Sequence, residues 1–228
     1  MPYFWYDSTY ILVIIAFFLS MFASFGVKAT YAKYSKVHNH SGMTGSMAAR
    51  KILDMNGLYQ VRIERISGNL TDHYDPKDNV IRLSESVYDS DSVAAIGVAA
   101  HESGHAVQHA TNYAPIGIRN ALVPVVNIGT SLSMPLFIIG LILGFVQLAY
   151  VGVILFSLAL LFQLVTLPVE FNASRRAIKI LDSGNLLYDD EIKGAKKVLT
   201  AAAMTYVAAT ASTALQLLRL LLILKRDD

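Results

Sequence analysis

The chain has 228 residues, of which 54% are hydrophobic and only 16% are charged, against about 25% charged residues in a typical soluble domain. Its net charge of +2 is too close to neutral to favour a nucleic-acid partner. The absence of cysteine excludes disulfides and thiolate zinc sites, so histidine and carboxylate side chains would have to hold any metal.

Residues 1–27 are predicted to contain a transmembrane anchor. The uncharged apolar run at 10–27 is just long enough to cross a bilayer core of about 30 Å. Lys28, Lys33 and Lys36 follow this run rather than precede it, which argues against a cleaved signal peptide. The positive-inside rule then places the N-terminus outside and the following residues in the cytoplasm. An aromatic belt at the outer interface is expected from Phe4, Trp5, Tyr6 and Tyr10.

Residues 28–114 are predicted to form a small cytoplasmic subdomain of the α+β class. A helix is expected over 44–58 and a half-buried alternating strand over 59–66. A β-hairpin follows, with its turn at Asp-Pro-Lys-Asp. A capped helix over 90–110 ends the subdomain.

A second apolar block is predicted to be a transmembrane helical hairpin over residues 115–169. No residue between Arg119 and Glu170 is charged. As one helix, that stretch would be about 75 Å long, more than twice the thickness of the bilayer core. We therefore expect two spans, near 122–145 and 150–168, with both outer ends on the cytoplasmic side.

Two segments complete the chain. Residues 170–197 are expected to be a mostly helical cytoplasmic segment. Residues 198–228 form a helix that is rich in small residues and then in leucine, and Arg219 interrupts its apolar half. The sequence leaves open whether this helix is a fourth span or packs its small residues against the polar subdomain.

The helix at 90–110 carries the motif His-Glu-Ser-Gly-His at 101–105. Positions i and i+4 share one helix face, so His101 and His105 can bind a single ion. Zinc held in this way lowers the pKa of its water to about 7. Glu102 would take the proton of that water and deliver it to the leaving amine. This is the H-E-x-x-H arrangement of zinc metalloproteases.

A pattern of five residues with three fixed positions, such as H-E-x-x-H, also occurs by chance. However, two histidines and a glutamate would otherwise lie unpaired on a helix face made of alanine, glycine and valine, and burying them without partners costs about several kcal/mol.

A catalytic zinc requires a third protein ligand, and Glu170 is the best candidate. It ends the uncharged run where the chain leaves the membrane, a costly position for a purely structural carboxylate. A competing interpretation pairs it with Arg175 or Arg176. The weaker alternatives for the third ligand are His109, His73, His38 and His40.

Two stretches, DHYDPKDNVIRLSESVYDSDSVAAIGVAAHESGHAVQH (72–109) and LPVEFNASRRA (167–177), resemble the YugP-type neutral zinc metallopeptidases of bacterial membranes. The N-terminal anchor and residues 41–58 also fit. That family is similar to the HtpX and CAAX-prenyl-protease types of membrane gluzincin, which add a glutamate from an E-x-x-x-D stretch. Here the stretch reads EFNAS, so the resemblance makes Glu170 the third ligand and puts Ser174 where those relatives carry aspartate.

The resemblance also implies roles around the zinc. In gluzincins an edge strand beside the H-E-x-x-H helix pairs with the extended substrate; an ordinary sheet strand is the alternative here. The candidates for this strand are Asn79, Val80, Ile81, Arg82, Leu83 and Ser84. The candidates for orienting a zinc-binding histidine or for donating to the oxyanion are Ser174, Asn172, Arg175, Arg176, Tyr206, Tyr113 and His109.

The sequence therefore predicts an α-helical polytopic membrane protein with a small α+β zincin-like cytoplasmic domain that carries an H-E-x-x-H helix. We expect an endopeptidase with a single Zn²⁺ per chain, which cleaves membrane or membrane-proximal polypeptides by Glu-assisted attack of a zinc-bound water. The expected location is a bacterial cell membrane, with the active site on the cytoplasmic side.

Two other functions compete with this prediction. A catalytically silent zinc-containing scaffold or adaptor is the alternative, but a structural zinc is closed by a fourth protein ligand and has no need of an unligated Glu102. A transporter or channel is disfavoured because the apolar blocks hold almost no charged residues to line a path.

Overall fold

The computed structural model describes residues 7–227. Of the expected aromatic belt, Phe4, Trp5 and Tyr6 lie outside the described residues. The described elements, in chain order, are α1 (Tyr10–Tyr34), α2 (Gly45–Met55), β1 (Arg62–Ile66), β2 (His73–Asp75), β3 (Val80–Ser84), α3 (Glu85–Tyr88), α4 (Val93–Ala110), α5 (Ala114–Ile142), α6 (Val146–Ser183) and α7 (Asp189–Asp227).

Four of the described helices, α1, α5, α6 and α7, are long and apolar enough to cross a membrane. The C-terminal segment, ambiguous in sequence, is a single helix with the length and composition of a fourth span. The fold is thus mostly helical, with four membrane-capable helices and a small three-stranded sheet.

The chain divides into two compact units. One, called here the helical unit, contains residues up to 24, residues 117–167 and residues from 204 onward. The other, called the mixed unit, contains residues 25–116 and 168–203 and holds all three strands.

Within the helical unit, α5 and α6 pack closely on either side of a turn at 143–145. A Cβ on Gly140 would clash with the backbone of Ala149. A Cβ on Gly152 would lie 2.6 Å from the Ser133 carbonyl oxygen. Glycine at these positions lets the two helix backbones touch, which is the usual way that apolar helices associate without a hydrophobic driving force.

The sheet of the mixed unit has the strand order β1-β3-β2, with β1 parallel and β2 antiparallel to β3. The hairpin predicted around Asp-Pro-Lys-Asp is present as β2 and β3. The prediction that residues 79–84 form an exposed edge is wrong, because β3 is hydrogen-bonded on both sides and its Val80, Ile81 and Leu83 side chains are fully buried. The edge strands are β1 and β2.

The other polar positions of residues 79–84 have structural partners. The Arg82 guanidinium forms ion pairs with Asp75, Asp78 and Glu64. Ser84 donates its backbone N–H and its hydroxyl to the Asp72 carboxylate. Strand β3 is therefore the central strand of the small sheet, and it has no free edge to which another chain could add.

Helix α4 lies at the centre of the mixed unit. The Ser92 hydroxyl caps its N-terminus by accepting from the Ala95 N–H at 3.2 Å. One side of α4 packs through Ile96 against α2, α6 and α7, and the other side packs through Val107 against α2 and the sheet. Because α4 is buried along most of its length, its side chains are held rigidly.

Candidate active site

The H-E-x-x-H motif lies on α4, and its glycine sets the distance to α6. A Cβ on Gly104 would lie 2.7 Å from the Ala173 carbonyl oxygen, so no larger residue fits there without moving one helix. This close approach brings Glu170, one turn before Ala173 on α6, opposite the two histidines of α4.

His101, His105 and Glu170 form a cluster whose ligand atoms all lie within 4.8 Å of one another. The Glu170 Oε2 atom is 3.2 Å from His101 Nε2 and 3.6 Å from His105 Nε2. Glu170 is only 3% exposed. This is the one cluster of at least three such ligand side chains in the described part of the chain.

The charges of this cluster favour a bound cation. Burial disfavours the charged form of His105, but the hydrogen bond that the imidazole donates to Glu170 and the charges of Glu102 and Glu170 outweigh burial and raise the pKa of His105. The Glu170 carboxylate thus faces two imidazoles in a largely buried pocket, and the charge of Glu102 acts on the same pocket. A proton or a metal cation held there would balance this negative charge.

Each histidine is held from behind by an uncharged partner. His101 Nδ1 lies 3.1 Å from Ser174 Oγ, and His105 Nδ1 lies 3.0 Å from Gln108 Oε1. When Nδ1 donates its proton to these acceptors, Nε2 keeps a free lone pair directed at the cluster. Metal-binding histidines use the same arrangement to fix their tautomer and ring orientation.

Gln108 was not singled out in the sequence, although it lies three positions after His105 on the same helix face. It is fully buried. Its Nε2 donates to the Val169 carbonyl at 2.8 Å and to Asn172 Oδ1 at 3.0 Å. Arg176 Nε donates to the same Asn172 oxygen at 2.8 Å. The chain of hydrogen bonds from Arg176 to His105 thereby leaves the Gln108 oxygen facing the imidazole.

Glu102 lies outside the cluster of three and has a different partner. Its Oε2 accepts from the backbone N–H of Tyr74, on the edge strand β2, at 3.0 Å. Since that N–H bonds to Glu102, it is directed away from β3 and belongs to the open edge of the sheet. Burial raises the pKa of the neighbouring Asp72, and the charge of Glu102 adds to this increase.

The remaining predicted site residues lie in different surroundings. Tyr113 donates to the Pro168 carbonyl at 3.5 Å, and the Arg176 guanidinium carbon lies 5.9 Å from the centre of its ring. His109 is exposed, and its ring centre is 6.1 Å from that of Tyr74. Tyr206 belongs to the helical unit.

Arg175 lines a cleft of about 510 Å³ between α6 and α7, together with Ser174. The competing interpretation of Glu170 receives no support, because its ion-pair partners among the described residues are the two histidines rather than an arginine.

The alternative third ligands lie outside the cluster. His73 Nδ1 contacts the Thr71 carbonyl at 2.8 Å. His38 forms an ion pair with Asp91, and His40 forms one with Glu191.

Comparison with known proteins assigns the chain to a family. Residues 9–225 match the model of a family described as "Putative neutral zinc metallopeptidase". The chain belongs to the neutral zinc metallopeptidase family. It is also 50% identical, over 212 residues, to the "Putative membrane protease YugP" of Bacillus subtilis (strain 168), which covers 93% of this chain and 94% of that protein. No solved structure matches the chain.

The resemblance inferred from the sequence is confirmed, and the family implies a zinc ion and a polypeptide substrate. The donor set of the cluster fits that ion. Two imidazole nitrogens and one carboxylate oxygen are ligands that zinc accepts in catalytic sites, where three protein ligands leave one position open. The uncharged partners behind both imidazoles also fit.

Proposed function

We propose that this protein is a membrane-embedded endopeptidase of the gluzincin type. His101, His105 and Glu170 would hold zinc, and Glu102 would act as general base. The observation that carries the proposal is that the two glutamates have different partners. Glu170 lies with both histidines, whereas Glu102 is separately hydrogen-bonded to the sheet edge.

Zinc, when bound, would supply a Lewis acid that polarises the scissile carbonyl and lowers the pKa of a coordinated water to about 7. The protein contributes the proton transfers. Glu102 accepts a proton from the attacking water and gives it to the leaving amine, so that the C–N bond breaks with a neutral leaving group. Ser174 and Gln108 hold the two imidazoles in the tautomer that ligation requires.

We further propose that the substrate main chain pairs with β2 rather than with β3. The Tyr74 N–H lies on the open edge and donates to the Glu102 carboxylate on α4. A peptide added to this edge as an extra strand would gain affinity from main-chain hydrogen bonds, largely independent of its sequence. The same contact would bring the peptide next to Glu102.

The proposed setting is a bacterial cell membrane crossed by α1, α5, α6 and α7. The positive-inside rule, applied to the lysines after the α1 apolar run and at the start of α7, puts residues 28–114 and 170–197 on the cytoplasmic side. In this arrangement the proposed substrates are membrane or membrane-proximal polypeptides.

The alternative is a zinc-containing scaffold without catalytic activity, and one experiment separates the two. Purified protein in detergent would be incubated with an unfolded substrate such as casein, then with a chelator, then with added zinc. The enzyme predicts cleavage that is lost on chelation and returns with zinc. Full zinc content in a protein with no cleavage of several unfolded substrates would favour the scaffold.

A further inference from the structure

A cleft lies between the C-terminal end of α1 and the beginning of α7. It has a volume of about 710 Å³ and lies entirely within the mixed unit. Its lining residues are Ala29, Thr30, Lys33, Tyr34, Lys193, Lys196, Lys197, Thr200 and Ala201.

The cleft is strongly basic. Four lysines line it, and no carboxylate does. Lys193 forms an ion pair at 3.1 Å with Asp190, which is almost fully exposed. Among the described residues, Lys33, Lys196 and Lys197 have no carboxylate partner. Lys33 lies over the Tyr34 ring, with Nζ 5.6 Å from the ring centre. Three positive charges therefore line one concave surface without a carboxylate to pair with, and an anion placed there would gain electrostatic energy from all of them.

Next to the cleft, α1 and α7 are in close contact. A Cβ on Gly194 would lie 2.8 Å from the Tyr34 ring, so glycine is needed there for the Tyr34 ring to lie this close to α7. Ala29 and Ala201 give the cleft an apolar wall, and Thr30 and Thr200 contribute hydroxyl groups to its lining. This combination suits a ligand that has an anionic head and an apolar body.

The position of the cleft along both helices corresponds to the lipid headgroup region. The uncharged run of α1 ends just before Lys28, and the apolar part of α7 begins at about Val198, directly after the lysines. Both changes from apolar to basic sequence occur at the cleft. This step rests on the proposed membrane placement, in which these helix ends face the cytoplasmic leaflet.

We propose that this cleft binds the phosphate headgroup of an anionic phospholipid, with an acyl chain along the alanine wall. Basic pockets beside membrane helices on the cytoplasmic side recognise such headgroups. The lysines would contact the phosphate, and the threonine hydroxyls would donate hydrogen bonds to its oxygens. The lipid would join α1 to α7 and stabilise the folded protein.

The test is a thermal shift of the full-length protein in an uncharged detergent, with added phosphatidylglycerol, phosphatidylcholine or inorganic phosphate. A ligand that binds the folded state raises the unfolding temperature, here by about 5 °C or more at saturation. We expect this shift with phosphatidylglycerol only. The double variant Lys33→Gln/Lys197→Gln should lose most of this rise in unfolding temperature. Lys196 is left unchanged because it also lines the other cleft, beside Ser174.

The matched control is Lys51→Gln/Lys77→Gln, which removes the same charge from exposed lysines outside the cleft. It should keep the full shift. Equal shifts in the cleft variant and the wild type, or equal losses in both double variants, would overturn the proposal. So would an equal effect of inorganic phosphate, which would make the ligand a free anion. Because the readout needs no catalysis, Glu102→Gln should keep the lipid shift whether or not the protein proves to be a peptidase.

Discussion

Gln108 Oε1 lies 3.0 Å from His105 Nδ1, and both side chains project from α4 within one turn. The other end of Gln108 is bonded to the Val169 carbonyl and to Asn172 on α6. One buried amide therefore fixes the tautomer of a proposed ligand and also joins the two helices that carry the cluster. We therefore expect the proposed site to depend on a residue that belongs neither to the cluster of His101, His105 and Glu170 nor to the sheet edge.

Replacing Gln108 tests this relationship. Gln108→Leu should weaken zinc binding by about 10–100-fold, the usual effect of removing a hydrogen-bond partner of a metal-binding histidine. Competition with a chromogenic chelator measures the affinity directly. His109→Ala, at an exposed position on the same helix, is the control and should bind zinc as the wild type does. Equal affinities in all three proteins would leave Gln108 with a packing role only.

Variants of Glu170 should differ from one another in whether added zinc restores cleavage activity. Glu170→Gln removes the charge that balances the ion and should abolish cleavage even with added zinc. Glu170→Asp keeps the charge but shortens the reach, so excess zinc should restore part of the activity. Zinc content by elemental analysis and cleavage rates would be measured together. Wild-type values for both quantities in Glu170→Gln would remove Glu170 from the site.

The proposed pairing of the substrate with the open edge of β2 can be tested by removing the backbone N–H of Tyr74. Tyr74→Pro removes the N–H that Glu102 accepts, and proline is tolerated on an edge strand where its missing N–H faces outward. This N–H positions Glu102 and marks the edge at which the substrate strand is proposed to pair, so its loss should lower kcat/KM about tenfold, the equivalent of about one hydrogen bond. Tyr74→Ala keeps the N–H while removing the ring, so it is the control. If alanine and proline reduce kcat/KM equally, the side chain rather than the strand edge is responsible.

Single cysteines can map the orientation, because the chain contains none. A cysteine at the exposed Lys51 position should react with a membrane-impermeant maleimide only after cells are opened, since residues 28–114 are proposed to be cytoplasmic. A cysteine at exposed Leu143, in the turn between α5 and α6, should react in intact cells. Labelling in the opposite pattern would reverse the topology and change the pool of substrates.

The sequence predicted the features that depend on local periodicity or on composition. The i, i+4 spacing places His101 and His105 on one helix face, and the charge-free run makes Glu170 conspicuous. The structure then brings these three side chains together. The long uncharged block also had to be folded into two helices, because one helix of that length cannot fit a bilayer.

The features that were missed depend on non-local pairing. A turn sequence indicates that β2 and β3 are neighbours, but nothing local indicates that β1 joins the far side of β3 in parallel, so the sequence alone does not distinguish an edge strand from a central one at β3. Gln108 was missed for a related reason. A glutamine at i+3 from a histidine is common on helix surfaces, and its role is visible only when α6 supplies Val169 and Asn172 as partners.

The most direct test of the central claim is Glu102→Gln. The substitution keeps the size of the side chain but removes the carboxylate that would accept the proton of the attacking water. The amide can still present an oxygen to the Tyr74 N–H, so the fold and the cluster of His101, His105 and Glu170 should be preserved. Zinc content and casein cleavage would be measured on the same preparation. The account predicts normal zinc content with cleavage reduced by at least about a hundredfold, and cleavage at the wild-type rate would contradict it.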